Sequence, residues 1–298
     1  MFNTLKRGLA ALGLIATAAS GSPAAARVPQ VKPALWQVSD KDTTVYLFGT
    51  IHLLPRNSTW RTPKFEQAVR KSDTLVLETL IDASNPQQLR SIMDRIAYSR
   101  GLPPLGDRIG ADKRARLESA IAKTGISRST FDGMETWAAA FTLLGVQFQT
   151  LGVEGEQGVE NVLRQSFTAA GKKVDQLETN YEQLSYFDTL PETAQRSLLE
   201  GAIEDPAATK LEFDGMLQAW LAGDVKSIGK TFNQDLQSSP ELKAALLTRR
   251  NWNWSQWIER RMAQPGTVMV AVGAGHLAGD ASVQRYLESR GYKVKRLQ

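Results

Sequence analysis

The chain has no cysteine and only two histidines among its 298 residues. The first absence excludes disulfide stapling and anchoring through a lipidated cysteine, so stability has to come from a buried core. The second means that any chemistry needing imidazole must draw on His52 and His276. A basic stripe is missing too. The net charge is +5, and basic residues come in pairs at most, as at Lys172-Lys173, Arg249-Arg250 and Arg260-Arg261, without interleaved aromatics. Nucleic-acid binding therefore has no footing. There is no second long apolar run after the start of the chain, so with 42% of its residues hydrophobic the remainder reads as a soluble, globular protein.

What is present begins with an address. Lys6 and Arg7 precede an apolar stretch from Gly8 to Ser20, and Ala24-Ala25-Ala26 supplies small residues before Arg27. This order is that of a secretory signal, and the stretch is too short for a stable membrane span. A cleaved leader over residues 1–26 is expected, with the mature chain starting near Arg27 and located in the periplasm or outside the cell, without a membrane span. Loss of Lys6 and Arg7 takes the net charge from +5 to +3. The remaining 27–298 reads as one domain; its oligomeric state is open.

The two histidines share a setting. Val45 to Phe48 leads into Gly49-Thr50-Ile51-His52, and Thr267 to Val272 leads into Gly273-Ala274-Gly275-His276. Both leaders are short, β-branched and without period, as expected of strands buried on two faces. Two further runs end on acids: Thr74 to Leu77 precedes Glu78, and Lys173 to Leu177 precedes Glu178. In open α/β sheets, ligands bind beyond the carboxyl ends of the strands. His52, Glu78, Glu178 and His276 are therefore expected at one rim, a set suited to holding a divalent ion or to acid/base work.

The rest of the chain fits an α/β protein. Trp36 to Ser39 and Thr43 to Phe48 read as a hairpin around Asp40-Lys41-Asp42. Thr62-Pro63 reads as an N-cap with proline at the first helical position. Helical spacing covers about 85–150, where Trp137, Phe141, Leu144 and Phe148 form a stripe read as core, and again about 181–262. Both stretches are expected as large helical insertions in a central mixed, largely parallel sheet. Gln157 to Ala170 is an amphipathic helix stopped by Gly171, and Glu160 near its start is assigned to stabilising the helix N-terminus. Trp254, Trp257 and Ile258 fit one helix face and are read as packing, while Arg250 can reach the cleft and bind an anionic group. Tyr292 to Leu297 alternates like a final edge strand.

Gly273-x-Gly275-x-x-Ala278 fits a dinucleotide fingerprint in form, but fewer than 25 residues follow it and no acid stands about 20 positions on. No Gly-x-Ser-x-Gly, His-Glu-x-x-His or P-loop pattern occurs.

Taken in order, Gly49-Thr50-Ile51-His52, Leu77-Glu78, Gly158-Val159-Glu160, Leu177-Glu178-Thr179, Arg250-Asn251 and Gly273-Ala274-Gly275-His276-Leu277 resemble the TraB/PrgY/GumN family, which includes the Tiki proteases. The resemblance runs from about Trp36 to Leu297 and is closest to secreted bacterial members of the GumN type. It implies an α/β core related to erythromycin esterases and ChaN-like haem-binding proteins. It also implies, from the metal-dependent Tiki members, that His52 and His276 hold an ion with Glu78 beside them, and that Glu178 and Arg250 line the cleft.

The expected function is a secreted hydrolase acting on a peptide or amide bond of a peptide or small-molecule substrate. A divalent ion (manganese, cobalt, zinc or iron) held by His52, Glu78 and His276 would activate water, with Glu78 or Glu178 taking the proton and Arg250 facing the oxyanion. Two alternatives use the same residues: a metal-independent, esterase-like hydrolase based on His and Glu, and a protein that binds haem, metal or a signalling peptide without turnover.

Overall fold

The computed structural model describes residues 31–81, 85–236 and 239–298, and the expected leader over residues 1–26 lies outside them. Strands β1 (Leu35–Ser39) and β2 (Thr43–Thr50) form the hairpin, and its turn is closed by Asp40, whose carboxylate accepts the Thr43 N–H at 2.9 Å. A two-residue strand β3 (Leu54–Pro55) follows. Helix α1 (Pro63–Lys71) starts where Thr62 accepts the Phe65 N–H and proline takes the first helical position. Strand β4 (Thr74–Leu77) then returns to the sheet.

Helices α2 (Pro86–Ile96), α3 (Arg114–Thr124), α4 (Arg128–Gly133) and α5 (Thr136–Thr150) fill the first stretch of helical spacing. A short strand β5 (Val153–Glu154) pairs antiparallel with β3. After it come α6 (Val159–Ala169) and β6 (Lys173–Gln176). The second helical stretch holds α7 (Asn180–Asp188), α8 (Glu192–Ala202), α9 (Pro206–Leu221), α10 (Val225–Leu236), α11 (Pro240–Lys243) and α12 (Arg249–Met262). Strand β7 (Gly266–Gly273), helix α13 (Val283–Ser289) and a short edge strand β8 (Val294–Arg296) complete the chain.

The fold is α/β, with a six-stranded mixed sheet in the order β6-β4-β7-β2-β1-β8 and helices around it. The pairs β6/β4, β4/β7 and β7/β2 are parallel, and β2/β1 and β1/β8 are antiparallel. Strand β2 alternates between two apolar layers. Tyr46 and Phe48 face one, where Phe48 packs on Phe65 at 4.4 Å between ring centres, while Val45 and Leu47 face the other with Val268, Val270, Trp254 and Ile258. Burial on both faces explains why these strands read as continuous apolar runs. Among the described residues, no helix is long and apolar enough to cross a membrane.

Candidate active site at the strand ends

The two Gly-x-x-His motifs are neighbours in space. Strands β2 and β7 run parallel with Thr50 opposite Gly273, so each histidine leaves the sheet just past the same level. On the other side of β7, β4 ends at Leu77 and delivers Glu78; beyond it, β6 delivers Glu178. The β6/β4 pairing continues past the strands proper, with the Leu177 and Glu178 N–H groups donating to the Leu77 and Glu78 carbonyls at 2.9 Å each. Across the sheet the order is thus Glu178, Glu78, His276, His52.

Arg250 ties these ends together from helix α12, entered through a π-helical stretch, Ala244–Thr248. Such stretches recur at functional sites because they reset the phase of the helix that follows. Arg250 is 5% exposed. Its Nε donates to both Glu178 oxygens at 3.2 and 3.0 Å, and its Nη2 to Glu78 Oε2 at 2.6 Å and Glu178 Oε2 at 2.9 Å. Its Nη1 lies 3.2 Å from His276 Nε2. Arginine can only donate, so His276 Nε2 is the acceptor and the ring proton sits on Nδ1, which meets Asn251 Oδ1 at 2.6 Å. Trp254 closes the group, its indole N–H donating to Glu178 Oε1 at 2.9 Å and its ring lying 4.5 Å from that of His276.

Glu78 is held from every side. Oε1 accepts the Gly273 N–H at 2.7 Å, and Oε2 accepts Gln183 Nε2 at 2.9 Å as well as Arg250. Burial acts against its charge, but Arg250, both histidines and the Gly273 N–H prevail and hold the carboxyl well below the usual range. Glu178 moves the other way, because burial outweighs its pairing with Arg250. Burial, reinforced by the Arg250 charge, pushes the His276 imidazole down to about 3, so it is neutral.

His52 differs in kind. Its side chain is 35% exposed, and Nδ1 lies 2.6 Å from Glu160 Oε1. Thr50 Oγ1 donates to the same oxygen. Burial disfavours the imidazolium, yet the Glu160 carboxylate, through its charge and hydrogen bond, and the Glu78 charge win and raise His52 to about 9. At neutral pH His52 is therefore protonated. Its Nε2, Glu78 Oε1 and His276 Cδ2 surround the place where Gly273 lacks a side chain: a Cβ there would lie 3.8, 3.2 and 3.6 Å from them. His52, Glu78, Glu160 and Arg250 line a cleft of about 370 Å³.

From the sequence, Glu160 is a carboxylate that serves its own helix terminus; in the structure that carboxylate lies on His52 instead. Helix α6 comes close enough because Gly158 has no side chain. A Cβ there would lie 2.0 Å from the His52 carbonyl oxygen, and the next amide, Val159 N–H, donates to the Ile51 carbonyl at 3.0 Å. Gln183 was not singled out by the sequence, and Trp254 was read as packing alone. Phe141, read as core, lines the cleft. All five residues expected to act, His52, Glu78, Glu178, Arg250 and His276, lie in this one group.

The ion expected on His52, Glu78 and His276 can be weighed against the donor set. Among the described residues, no group of three or more His, Asp or Glu side chains is arranged to hold a metal ion. The reason is Arg250. It already supplies a positive charge between the two carboxylates, and its Nη1 faces the His276 nitrogen that an ion would need. As arranged, these residues do not fit a resident divalent ion.

The fold and site together define an α/β protein in which the parallel strand ends of a mixed sheet gather two histidines, two glutamates and a buried arginine. The TraB/PrgY/gumN family profile matches residues 34–296, and the chain belongs to that family. It is similar to the uncharacterized protein YbaP of Escherichia coli (strain K12), with 25% identity over 246 residues covering 81% of this chain and 87% of that protein. YbaP of Shigella flexneri is similar to the same extent. No solved structure is matched by the chain.

Proposed function

We propose that the protein is a hydrolase that cleaves an ester or amide bond with Glu78 as proton acceptor and His52 as proton donor. One observation carries this reading: the two groups lie beside Gly273 and line the same cleft while their surroundings push their proton affinities in opposite directions. Such a divergence assigns base and acid within a site. At neutral pH Glu78 is ionised and His52 protonated, so both start in the required state. Water attacks the carbonyl carbon as Glu78 takes its proton, and the Arg250 charge lies beside the developing oxyanion. The bond to the leaving group breaks as His52 protonates it, and the proton held by Glu78 then restores His52. Glu78 is a weak base, so its contribution rests on position rather than on strength.

A second reading keeps a divalent ion on His52, Glu78 and His276. One observation favours it: both Nδ1 atoms are tied to outer partners, Glu160 and Asn251, as is usual for metal-ligating imidazoles. It requires Arg250 Nη1 to leave His276 Nε2. Export to the periplasm or beyond belongs to the proposal in either case, supported by Lys6, Arg7 and the apolar run after them.

The test is turnover of a panel of peptides and carboxylic esters by the mature protein, with metal analysis and chelator treatment alongside. The first reading expects activity that survives chelation and falls about 10²–10⁴-fold in both Glu78→Gln and His52→Ala. One ion per chain together with loss of activity on chelation selects the second reading, and no turnover of any ester or amide defeats both.

A further inference from the structure

The cleft carries one more charge than the proposed chemistry uses. Of its lining cations, Arg250 is matched by Glu78 and Glu178, and His52 by Glu160. Arg164 also lines the cleft, and among the described residues no carboxylate lies within ion-pair distance of it. Its guanidinium is nevertheless positioned. Arg164 Nη2 donates to Asn161 Oδ1 at 3.1 Å, and Asn161 Nδ2 donates to the Gly155 carbonyl at 2.6 Å, which anchors the pair to the turn before α6. Held this way, an arginine keeps donors free for a planar anion such as a carboxylate.

Spacing and the facing wall narrow the ligand. Arg164 stands one helical turn beyond Glu160, about 6 Å along the axis, which is the reach of one or two residues of extended chain from the His52 end. Leu80, Ile81, Phe141 and Leu184 line the same cleft and offer apolar surface. Resting on the reading of this cleft as a hydrolytic site, we infer that its substrate is an apolar acyl or peptidyl compound with a free carboxylate close to the scissile bond, and that Arg164 binds that carboxylate. Arg164 is here a specificity residue, and takes no part in bond cleavage.

The experiment compares binding of benzoylglycine with that of its amide by titration calorimetry, since the two have nearly the same size and differ in charge. The wild-type protein should bind the acid about tenfold or more tightly than the amide, as expected for a charge-assisted pair. Arg164→Gln should abolish that preference with an unchanged melting temperature, Arg164→Lys should retain part of it, and Glu78→Gln should keep it. Equal binding of acid and amide, binding of neither, or a preference that survives Arg164→Gln overturns the inference. Turnover plays no part in this measurement, so failure of the hydrolase reading would appear separately, as inert peptides and esters with the carboxylate preference intact.

Discussion

Glu160 Oε1 lies 2.6 Å from His52 Nδ1, and at neutral pH the two side chains form an ion pair at the edge of the cleft. The carboxylate that orients the imidazole is also what keeps it charged.

Because the chain has two histidines, its imidazole proton spectrum is simple enough to follow each ring. His52 should titrate near 9 and His276 should stay neutral down to about 3. Glu160→Gln should lower the His52 value by at least about one unit, since it removes the main charge that holds the proton. An unchanged His52 titration in that variant would detach Glu160 from the site.

Stability should depend on pH with opposite slopes on either side of the ordinary histidine value of 6.5. Between about 3 and 6.5 the unfolded chain binds the proton that buried His276 refuses, so stability falls as the pH drops. Between 6.5 and about 9 the native state holds the His52 proton that the unfolded chain has lost, so stability falls as the pH rises. Thermal melts from pH 5 to 9 should peak near 6.5, and His52→Gln should remove the loss on the alkaline side alone.

Arg250→Met should be among the most damaging single changes. It leaves Glu78 and Glu178 buried without their shared cation, a loss of about 3–5 kcal/mol for breaking a buried pair. Arg250→Lys should rescue only part, because one ammonium cannot reproduce the contacts to Glu178, Glu78 and His276. Denaturant titration of both variants measures this.

Gly158→Ala should cost about 1–3 kcal/mol and reduce activity as well. The added methyl would meet the His52 backbone, which can yield only by moving the loop that carries the imidazole. Chemical denaturation gives the first effect and assay at saturating substrate the second.

The five residues gathered at the strand ends were legible because four of them follow strand-like runs and Arg250 stands in a helical stretch from which it can reach the cleft. The hairpin, the Thr62-Pro63 helix start and the final edge strand were legible too, although β8 spans only Val294–Arg296. Glu160 was missed because a carboxylate in the first turn of a helix already has a local explanation, the helix dipole. Only the approach of α6 to the loop after β2, through Gly158, gives it a partner distant in sequence. Strand order was hidden for a similar reason. Pairing of β2 with β7 brings together opposite ends of the chain, and an apolar run carries no record of which run it will join.

The place of β7 in the sheet has a consequence for biosynthesis. It lies between β4 and β2, yet the ribosome makes it after every other strand except β8. Until Gly266 and the residues after it emerge, a nascent chain has β4 and β2 facing an unfilled slot, with two unpaired edges and no His276. Closure of the sheet and assembly of the site are thus one late event, set by long-range contacts that form slowly. A chain released before that point holds His52, Glu78 and Glu178 but lacks the strand that joins β2 to β4, so nothing in the sheet brings His52 to the two glutamates.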